Sequence, residues 1–236
     1  MYCSWRISNS VLFNSTGIAF NSSLIDTIIE LARHWKKTCG ALMSTHTASF
    51  QLTEMLVAIV FFHVSEYSLA ACIHGNHNVS LSSLLISKQY ILAMGCSLIE
   101  YTVETNMFPG LKEHLWVSNF GLVMVIVGEI IRKLAVLTAG RAFTHLIRVR
   151  RDEQHRLVKN GVYRLMRHPG YCGFLIWAVG MQIMVCNPLC CVAFAIIVWV
   201  FFARRIPYEE HYLRQFFGDE YVEYSNCTIS GIPFVR

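Results

Sequence analysis

The stretch RHPGYCGFLIWAVGMQIMVCNPLCCVAFAIIVWVFFARRIPYEE, residues 167–210, decides the fold. Charged side chains cluster at both of its ends, whereas residues 171–203 contain none. A helix needs about 20 residues to cross a hydrocarbon core of roughly 30 Å, so this run is longer than one span. An Asn-Pro pair lies at its middle, at 187–188, and proline disfavours helix in the residue before it. We therefore predict a hairpin of two helices of about 16 residues each, which returns Arg204 to the side of the membrane where Arg167 lies.

The composition of the whole chain agrees with a membrane protein. Of its 236 residues 54% are hydrophobic and only 15% are charged, against about 25% charged in soluble domains. Further apolar regions lie at about 50–73, 84–101 and 115–140. No Gly-x-Gly-x-x-Gly motif follows a strand pattern, and no βαβ alternation is visible. The sequence therefore predicts an all-α, polytopic integral membrane bundle with a helical hairpin and a cytosolic, non-Rossmann C-terminal region.

The distribution of charge predicts the orientation. The net charge is +5, and ten of the twenty Lys and Arg residues lie between Arg132 and Arg167. A basic connection between apolar spans is typical of the cytosolic side, so the basic 132–168 region and the C-terminus are predicted to be cytosolic. No nucleic-acid-binding motif accompanies the basic residues, and a nucleic-acid partner is not expected. The nine cysteines lie mostly in apolar runs without zinc spacing, so neither a metal site nor a disulfide framework is expected.

Shorter patterns predict local structure. Residues 1–47 are rich in Ser and Asn, with an amphipathic patch at Ser23–Lys37 that is too polar to span a membrane. We expect a polar N-terminal segment over 1–47, surface-lying or disordered, and a membrane-embedded domain over 48–236. After the hairpin, Pro207–Phe217 predicts a short amphipathic helix that ends at Gly218.

Several motifs occur in a fixed order along the chain: FHVSEY at 62–67, EIIRK at 129–133, TAG at 138–140, GVY at 161–163, RHPGY at 167–171, CNP at 186–188 and FFGDEY at 216–221. In EIIRK, Glu129 can pair with Arg132 or Lys133, three and four residues later on a helix. With these motifs, the chain from about Leu56 to its C-terminus resembles the isoprenylcysteine carboxyl methyltransferase family, whose members are multi-pass enzymes of the endoplasmic reticulum membrane.

The resemblance implies methyl transfer from S-adenosylmethionine, with S-adenosylhomocysteine as the product. The acceptor it implies is the C-terminal carboxylate of prenylated proteins, on a farnesyl- or geranylgeranyl-cysteine within the lipid bilayer. Arg205 corresponds to the family's substrate-binding and catalytic arginine, and an arginine fork suits a carboxylate. The cofactor contacts carried over from the family are Arg148, His155, Arg156, Leu157, Val158, Tyr163, His168, Pro169, Gly170, Tyr171 and Glu209.

The sequence leaves alternatives open. The Arg-His-Pro-x-Tyr element with a later Arg and paired Glu also occurs in phospholipid N-methyltransferases and, in part, in sterol reductases. An inactive shortened isoform is a further alternative, because the family usually carries additional N-terminal spans and residues 1–47 supply none. Arg148 stands where the family usually has glutamine. Pro207 leaves open whether Glu209 or Glu210 contacts the cofactor.

Overall fold

The computed structural model describes residues 22–75, 84–150 and 156–235. Within these ranges the regular secondary structure is helical, apart from an isolated β-bridge between Met166 and Ile229, and irregular connections join the helices. The α-helices are α1 (Ser22–His74), α2 (Lys88–Met107), α3 (Leu115–Ala139), α4 (Pro169–Met184), α5 (Pro188–Phe217) and α6 (Asp219–Cys227). Short 3₁₀ turns lie at Pro109–Glu113, Gly140–Ala142 and Gly161–Arg164.

Large apolar side chains point outward along the helices. Thr47–His74 and Pro188–Phe217 are long and apolar enough to cross a membrane. Leu92, Trp116 and Leu189 are each at least two-thirds exposed, and such a continuous apolar exterior is typical of a surface that faces lipid. The chain divides after residue 43 into two units, and the site described below lies in the second.

The hairpin predicted around 187–188 is confirmed, but the predicted length of its second helix is wrong. α4 has 16 residues, whereas α5 has 30 and continues through Pro207 to the stop at Gly218. A proline inside a helix removes one backbone hydrogen bond, here the one to the carbonyl of Ala203. Buried side chains on both sides of this point, Ile206 and Glu210, fix the helix against its neighbours and let it continue.

Glycines bring α3 and α4 into backbone contact. A Cβ atom at Gly128 would lie 2.6 Å from the carbonyl oxygen of Gly173, and one at Gly121 would lie 2.1 Å from the backbone nitrogen of Met184. A Cβ atom at Gly180, one heptad after Gly173, would lie 2.9 Å from the backbone nitrogen of Val125 on α3. Small residues at such spacings allow helices to approach closely where no water drives their association. The α3–α4 seam is therefore the tightest contact in the part of the bundle that carries the site.

A buried lysine from outside the hairpin holds its turn. Lys112 has no exposed surface, and its ammonium donates to the carbonyls of Val185 and Cys186, each at 2.9 Å. It also donates to Glu104 at 2.7 Å and to Oδ1 of Asn187 at 2.9 Å. The carbonyls at a helix C-terminus have no partner within the helix, so this ammonium satisfies groups that would otherwise be buried unpaired.

We expect Lys112→Met to lower the free energy of unfolding by about 3–5 kcal/mol, because it leaves the Glu104 carboxylate buried without its cation. Thermal unfolding in detergent micelles measures this as a lower midpoint temperature. Lys88→Met, at the exposed start of α2, is the matched control. Adding Glu104→Gln to Lys112→Met should recover part of the loss. Equal midpoints for the two lysine variants would contradict the role given to Lys112.

Candidate active site

A buried ion pair ties the start of α4 to the later half of α5. Arg167 and Glu210 are 9% and 2% exposed, and Nε of Arg167 donates to Oε1 of Glu210 at 2.8 Å. Nε2 of His168 lies 3.1 Å from the same oxygen and donates to it, because a carboxylate can only accept. Arg167 also donates through Nη1 to the backbone carbonyls of Ser225 and Thr228. The residues preceding α4 are thereby joined to α5 and to the end of α6.

A second buried network ties α1 to α3 at the same end of the bundle. Glu66 accepts from Nε and Nη2 of Arg132 at 3.0 and 2.8 Å and from Lys133 at 2.6 Å. Nη1 of Arg132 donates to the carbonyl of Gly170 in the first turn of α4. The predicted pairing of Glu129 is confirmed for Lys133, at 3.1 Å. Glu66, within the FHVSEY motif, is the partner of Arg132, and the sequence did not predict this pairing.

The first of two adjoining cavities, the loop cavity, is lined by residues 139–148 and 156–163, by one face of α5 and by α6. Its walls combine aromatic rings with charged groups, a mixture suited to a ligand with both a flat ring and polar ends. The predicted cofactor contacts found in its walls are Arg148, Arg156, Leu157, Val158, Tyr163, His168 and Glu209.

The second cavity, the helix cavity, lies between the same connection and the apolar helices. Phe174, Phe201 and Phe202 form a large part of its wall, together with Leu85 and Tyr90 on the approach to α2 and in its first turn. The predicted site residues that line it are Tyr163, His168, Gly170, Tyr171, Arg205 and Glu209. Six residues line both cavities: Phe143, Thr144, Tyr163, Arg167, His168 and Glu209.

Arg205 is held by two acceptors in the wall of the helix cavity. Its Nε donates to the hydroxyl of Tyr171 at 2.9 Å, and its Nη2 donates to the backbone carbonyl of His145 at 2.7 Å. The hydroxyl of Tyr171 in turn donates to Oε2 of Glu209 at 2.5 Å. A guanidinium has five N–H donors, so Arg205 keeps further donors for a ligand.

The structure separates the two acidic residues that the sequence left as alternatives. Glu209 lines both cavities and its side chain is 28% exposed, whereas that of Glu210 is 2% exposed and is engaged by Arg167 and His168. Of the remaining predicted contacts, Pro169 is buried at the first position of α4 and lines neither cavity. His155 lies outside the described residues.

The sequence analysis missed the aromatic wall of the loop cavity. On α5 this wall continues from Glu209 through Tyr212, Leu213, Phe216 and Phe217. These four positions lie three, four, seven and eight residues after Glu209, which is the spacing of a single helix face. This helical spacing is visible in the sequence, but the helix predicted from Pro207 was interpreted from its charged residues alone.

Burial adds to the preference of the polar rings of the site for their uncharged forms. It raises the pKa of Tyr163 well above the usual range, and it raises the pKa of Tyr224 to about 12. The hydroxyl of Tyr224 donates to the carbonyl of Tyr163 at 2.6 Å. Burial also lowers the pKa of His145 below its usual value, so this ring is neutral at pH 7. The connection over the site therefore contributes hydrogen bonds rather than charge at these positions.

Comparisons with known proteins agree on one family. The family model described as "Isoprenylcysteine carboxyl methyltransferase (ICMT) family" matches residues 121–215. "Protein-S-isoprenylcysteine O-methyltransferase A" of Arabidopsis thaliana is 64% identical over 190 residues, which cover 80% of this chain and 96% of that protein. The Homo sapiens protein-S-isoprenylcysteine O-methyltransferase is 40% identical over 201 residues, covering 84% of this chain and 70% of that protein.

A solved structure extends the similarity to the fold. It is titled "Structure of the eukaryotic intramembrane Ras methyltransferase ICMT (isoprenylcysteine carboxyl methyltransferase) without a monobody", and the two folds agree with a TM-score of 0.78. The two sequences are 39% identical, and the similarity covers 80% of this chain and 68% of the other. Together with the apolar helices, this confirms the predicted all-α membrane bundle.

The contrast between Glu210 and Glu209 gives a stability prediction. We expect Glu210→Ala to lower the free energy of unfolding by about 3–5 kcal/mol, because Arg167 loses its buried counter-charge. Glu209→Ala is the matched control and should cost less than about 1 kcal/mol, since its carboxylate is partly exposed. The midpoints of thermal unfolding in one detergent compare the two variants. Similar midpoints for the two variants would show that Glu210 does not stabilise the fold more than Glu209 does.

Proposed function

The chain belongs to the isoprenylcysteine carboxyl methyltransferase family, and we propose that it methylates the C-terminal carboxylate of prenylated cysteine in proteins. The observation that carries this proposal is the position of Arg205, in the wall of an aromatic cavity that adjoins a second, more polar one. A prenylcysteine has an anionic end and a long apolar chain, so it needs a cationic donor beside an apolar surface. The helix cavity provides both.

Arg205 binds the carboxylate in this proposal. A carboxylate is ionised at neutral pH, so the residues of the site have no proton to remove from the nucleophile. What the protein must supply is position, and a guanidinium with two bonds to fixed acceptors is a well-oriented donor. His168 donates through Nε2 to Glu210 and so helps to hold the start of α4 against α5.

The isoprenoid chain is proposed to lie against Phe174, Phe201 and Phe202 in the helix cavity. Farnesyl and geranylgeranyl chains are purely apolar, and each buried CH₂ group contributes about 0.8 kcal/mol of transfer free energy. The exposed apolar side chains of the surrounding helices would face the bilayer, so that a lipidated protein could approach from the membrane.

S-adenosylmethionine is proposed to bind in the loop cavity, where it supplies an electrophilic methyl group on a sulfonium, and S-adenosylhomocysteine is the product. The donor set fits this ligand. Glu209 offers a partly exposed carboxylate for the ribose hydroxyls or the amino group, and Arg148 and Arg156 offer guanidinium donors for the carboxylate. The rings of Tyr212 and Phe216 offer flat apolar surface for the adenine.

Only some of the remaining predicted contacts line the proposed cofactor cavity. Tyr163 and His168 line both cavities, and Leu157 and Val158 add apolar wall to the loop cavity. Gly170 lines the helix cavity. Pro169 would act by shaping the start of α4 rather than by contact.

The names of the relatives do not favour the alternatives of a phospholipid N-methyltransferase or a sterol reductase. An amine nucleophile would also need no cationic clamp. Because this arginine also occurs in phospholipid N-methyltransferases, the effect of replacing Arg205 on carboxyl methylation, and not its presence, tests the proposal.

The location is proposed to be the endoplasmic reticulum membrane, with the basic 132–168 region and the C-terminus facing the cytosol. The bias of basic residues toward this connection supports the orientation. We also propose that residues 1–47 form a polar segment outside the membrane domain, which spans 48–236. Glycosylation acceptor tags inserted at the C-terminus of the protein in microsomes should remain unmodified, and modification there would reverse the orientation.

We expect Arg205→Ala to lower kcat/KM for a farnesylated cysteine by at least about a hundredfold, because truncating one member of a buried charged contact typically costs 2–5 kcal/mol. The assay uses membranes from cells without their own carboxyl methyltransferase, S-adenosylmethionine with a labelled methyl group, and N-acetyl-S-farnesylcysteine. Base-labile methyl ester is the product measured. Arg204→Ala, at the adjacent exposed position, is the control and should remain active.

The same assay separates two failures. If the wild-type protein forms no base-labile ester while the Arabidopsis relative does so in parallel, the proposed function is wrong. If the wild type is active and Arg205→Ala is as active as Arg204→Ala, the function stands and Arg205 is not the carboxylate clamp.

We expect Glu209→Gln to weaken S-adenosylhomocysteine binding about tenfold, because an amide accepts less strongly than a carboxylate and carries no charge toward the amino group of the ligand. Isothermal titration of the purified protein measures the affinity. Glu223→Gln on the surface of α6 is the control. Unchanged affinity in Glu209→Gln would remove Glu209 from the cofactor site.

A further inference from the structure

The hydroxyl of Tyr171 stands between the proposed substrate clamp and the proposed cofactor carboxylate. It donates to Oε2 of Glu209 at 2.5 Å and accepts from Nε of Arg205 at 2.9 Å. A carboxylate cannot donate and a guanidinium cannot accept, so the direction of both bonds is fixed. The single hydrogen of the hydroxyl is committed to Glu209, and its oxygen serves Arg205 as an acceptor.

The ring that carries this hydroxyl is clamped. It stacks on the imidazole of His168, with centroids 5.4 Å apart and 3° between the planes, and on Phe202, at 4.5 Å and 19°. His168 is itself fixed by Glu210. Nearly parallel aromatic neighbours restrict the orientation of the ring, so the hydroxyl is a fixed point to which two flexible side chains are bonded.

Arg205 depends on that fixed point because its own side chain is long. Its rotamer freedom must be restricted before it can act as a clamp. The hydroxyl of Tyr171 holds Nε, and the carbonyl of His145 holds Nη2. For Nη1 the described residues provide no hydrogen bond, so the guanidinium keeps donors for a carboxylate while its plane is set by the two bonds.

We propose that Tyr171 is a positioning residue, which orients Arg205 toward the prenylcysteine carboxylate and links it to Glu209 at the border of the cofactor cavity. This inference rests on the proposed function and deepens it. It differs from the direct cofactor contact implied by the family resemblance, because Tyr171 lines the helix cavity and not the loop cavity. Its hydroxyl acts on the substrate through Arg205.

The test is Tyr171→Phe, which keeps the stacked ring and removes only the hydroxyl. We expect KM for N-acetyl-S-farnesylcysteine to rise about ten- to hundredfold, the range for a lost hydrogen bond to a charged group. We expect kcat to fall less, and the Kd of S-adenosylhomocysteine to change less than about threefold. Tyr67→Phe is the control, because Tyr67 is exposed and lines neither cavity.

A double-mutant cycle with Arg205→Lys separates action through Arg205 from independent action. If Tyr171 acts by holding Nε of Arg205, its removal should change KM less than threefold in the lysine background. A full effect of Tyr171→Phe in that background would overturn the proposal. So would a Kd for S-adenosylhomocysteine that rises tenfold while KM for the farnesylcysteine stays at its wild-type value.

A stability control completes the experiment. Thermal unfolding of Tyr171→Phe in detergent should show a midpoint close to that of Tyr67→Phe. Should Tyr171→Phe prove unstable, Phe202→Leu keeps the hydroxyl and loosens the ring, and it is expected to raise KM in the same direction by a smaller factor. Wild-type KM in Phe202→Leu would count against the clamp. If the wild-type protein forms no methyl ester, the proposed function itself is wrong.

Discussion

The bidentate ion pair between Glu66 and Arg132 is the constraint on which the site depends. It joins α1 to α3, and Nη1 of Arg132 donates to the carbonyl of Gly170 at the start of α4. The side chains are only 1% and 7% exposed. Separating them would leave a charge in an apolar bundle, so the pair fixes which helix faces meet even though its desolvation offsets much of its attraction.

The bond from Arg132 to the carbonyl of Gly170 can form only because α3 and α4 nearly touch. The contact between Gly128 and Gly173 brings the two backbones together one turn below Arg132, and any side chain at either glycine would force them apart. A guanidinium that must reach a backbone carbonyl on the next helix depends on that closeness. From Gly170 the chain leads directly back to His168 and Arg167, whose bonds to Glu210 place α5. Apolar packing thus sets the distances, and buried charges select one arrangement among those the packing allows.

The sequence predicted those features of the fold that depend on local patterns. A charge-free run interrupted by an Asn-Pro pair at 187–188 was enough to predict the hairpin, since length and proline chemistry are local. The pairing of Glu66 with Arg132 was not predictable in this way, because the partners are 66 residues apart and the helical spacing pointed to Glu129. The continuation of α5 through Pro207 was missed for a related reason. Contacts made by Glu210 with α4 override a local preference for a break.

The sequence predicted some residues that line the two cavities and missed others. The motif around His168 and the pair Arg205 and Glu209 line cavities that adjoin one another. The connection between α3 and α4 was harder, because it has no hydrophobic period, and its Phe143 and Thr144 line both cavities without any sequence signal. Irregular segments satisfy their backbone groups through partners far along the chain, such as Arg205 for the carbonyl of His145. Only the folded structure reveals those partners.

The way charge is distributed around the site suits a reaction without proton transfer. Glu210 pairs with Arg167 and accepts a hydrogen bond from His168, and Glu66 pairs with Arg132, so these two carboxylates serve the structure, whereas Glu209 lines both cavities. A nucleophile that must lose a proton needs a base positioned beside it. A carboxylate needs no such help, and its methylation requires only that the nucleophile be held in line with the methyl group. On the proposed function, the site can therefore use its buried charges for rigidity and leave orientation of the substrate to Arg205.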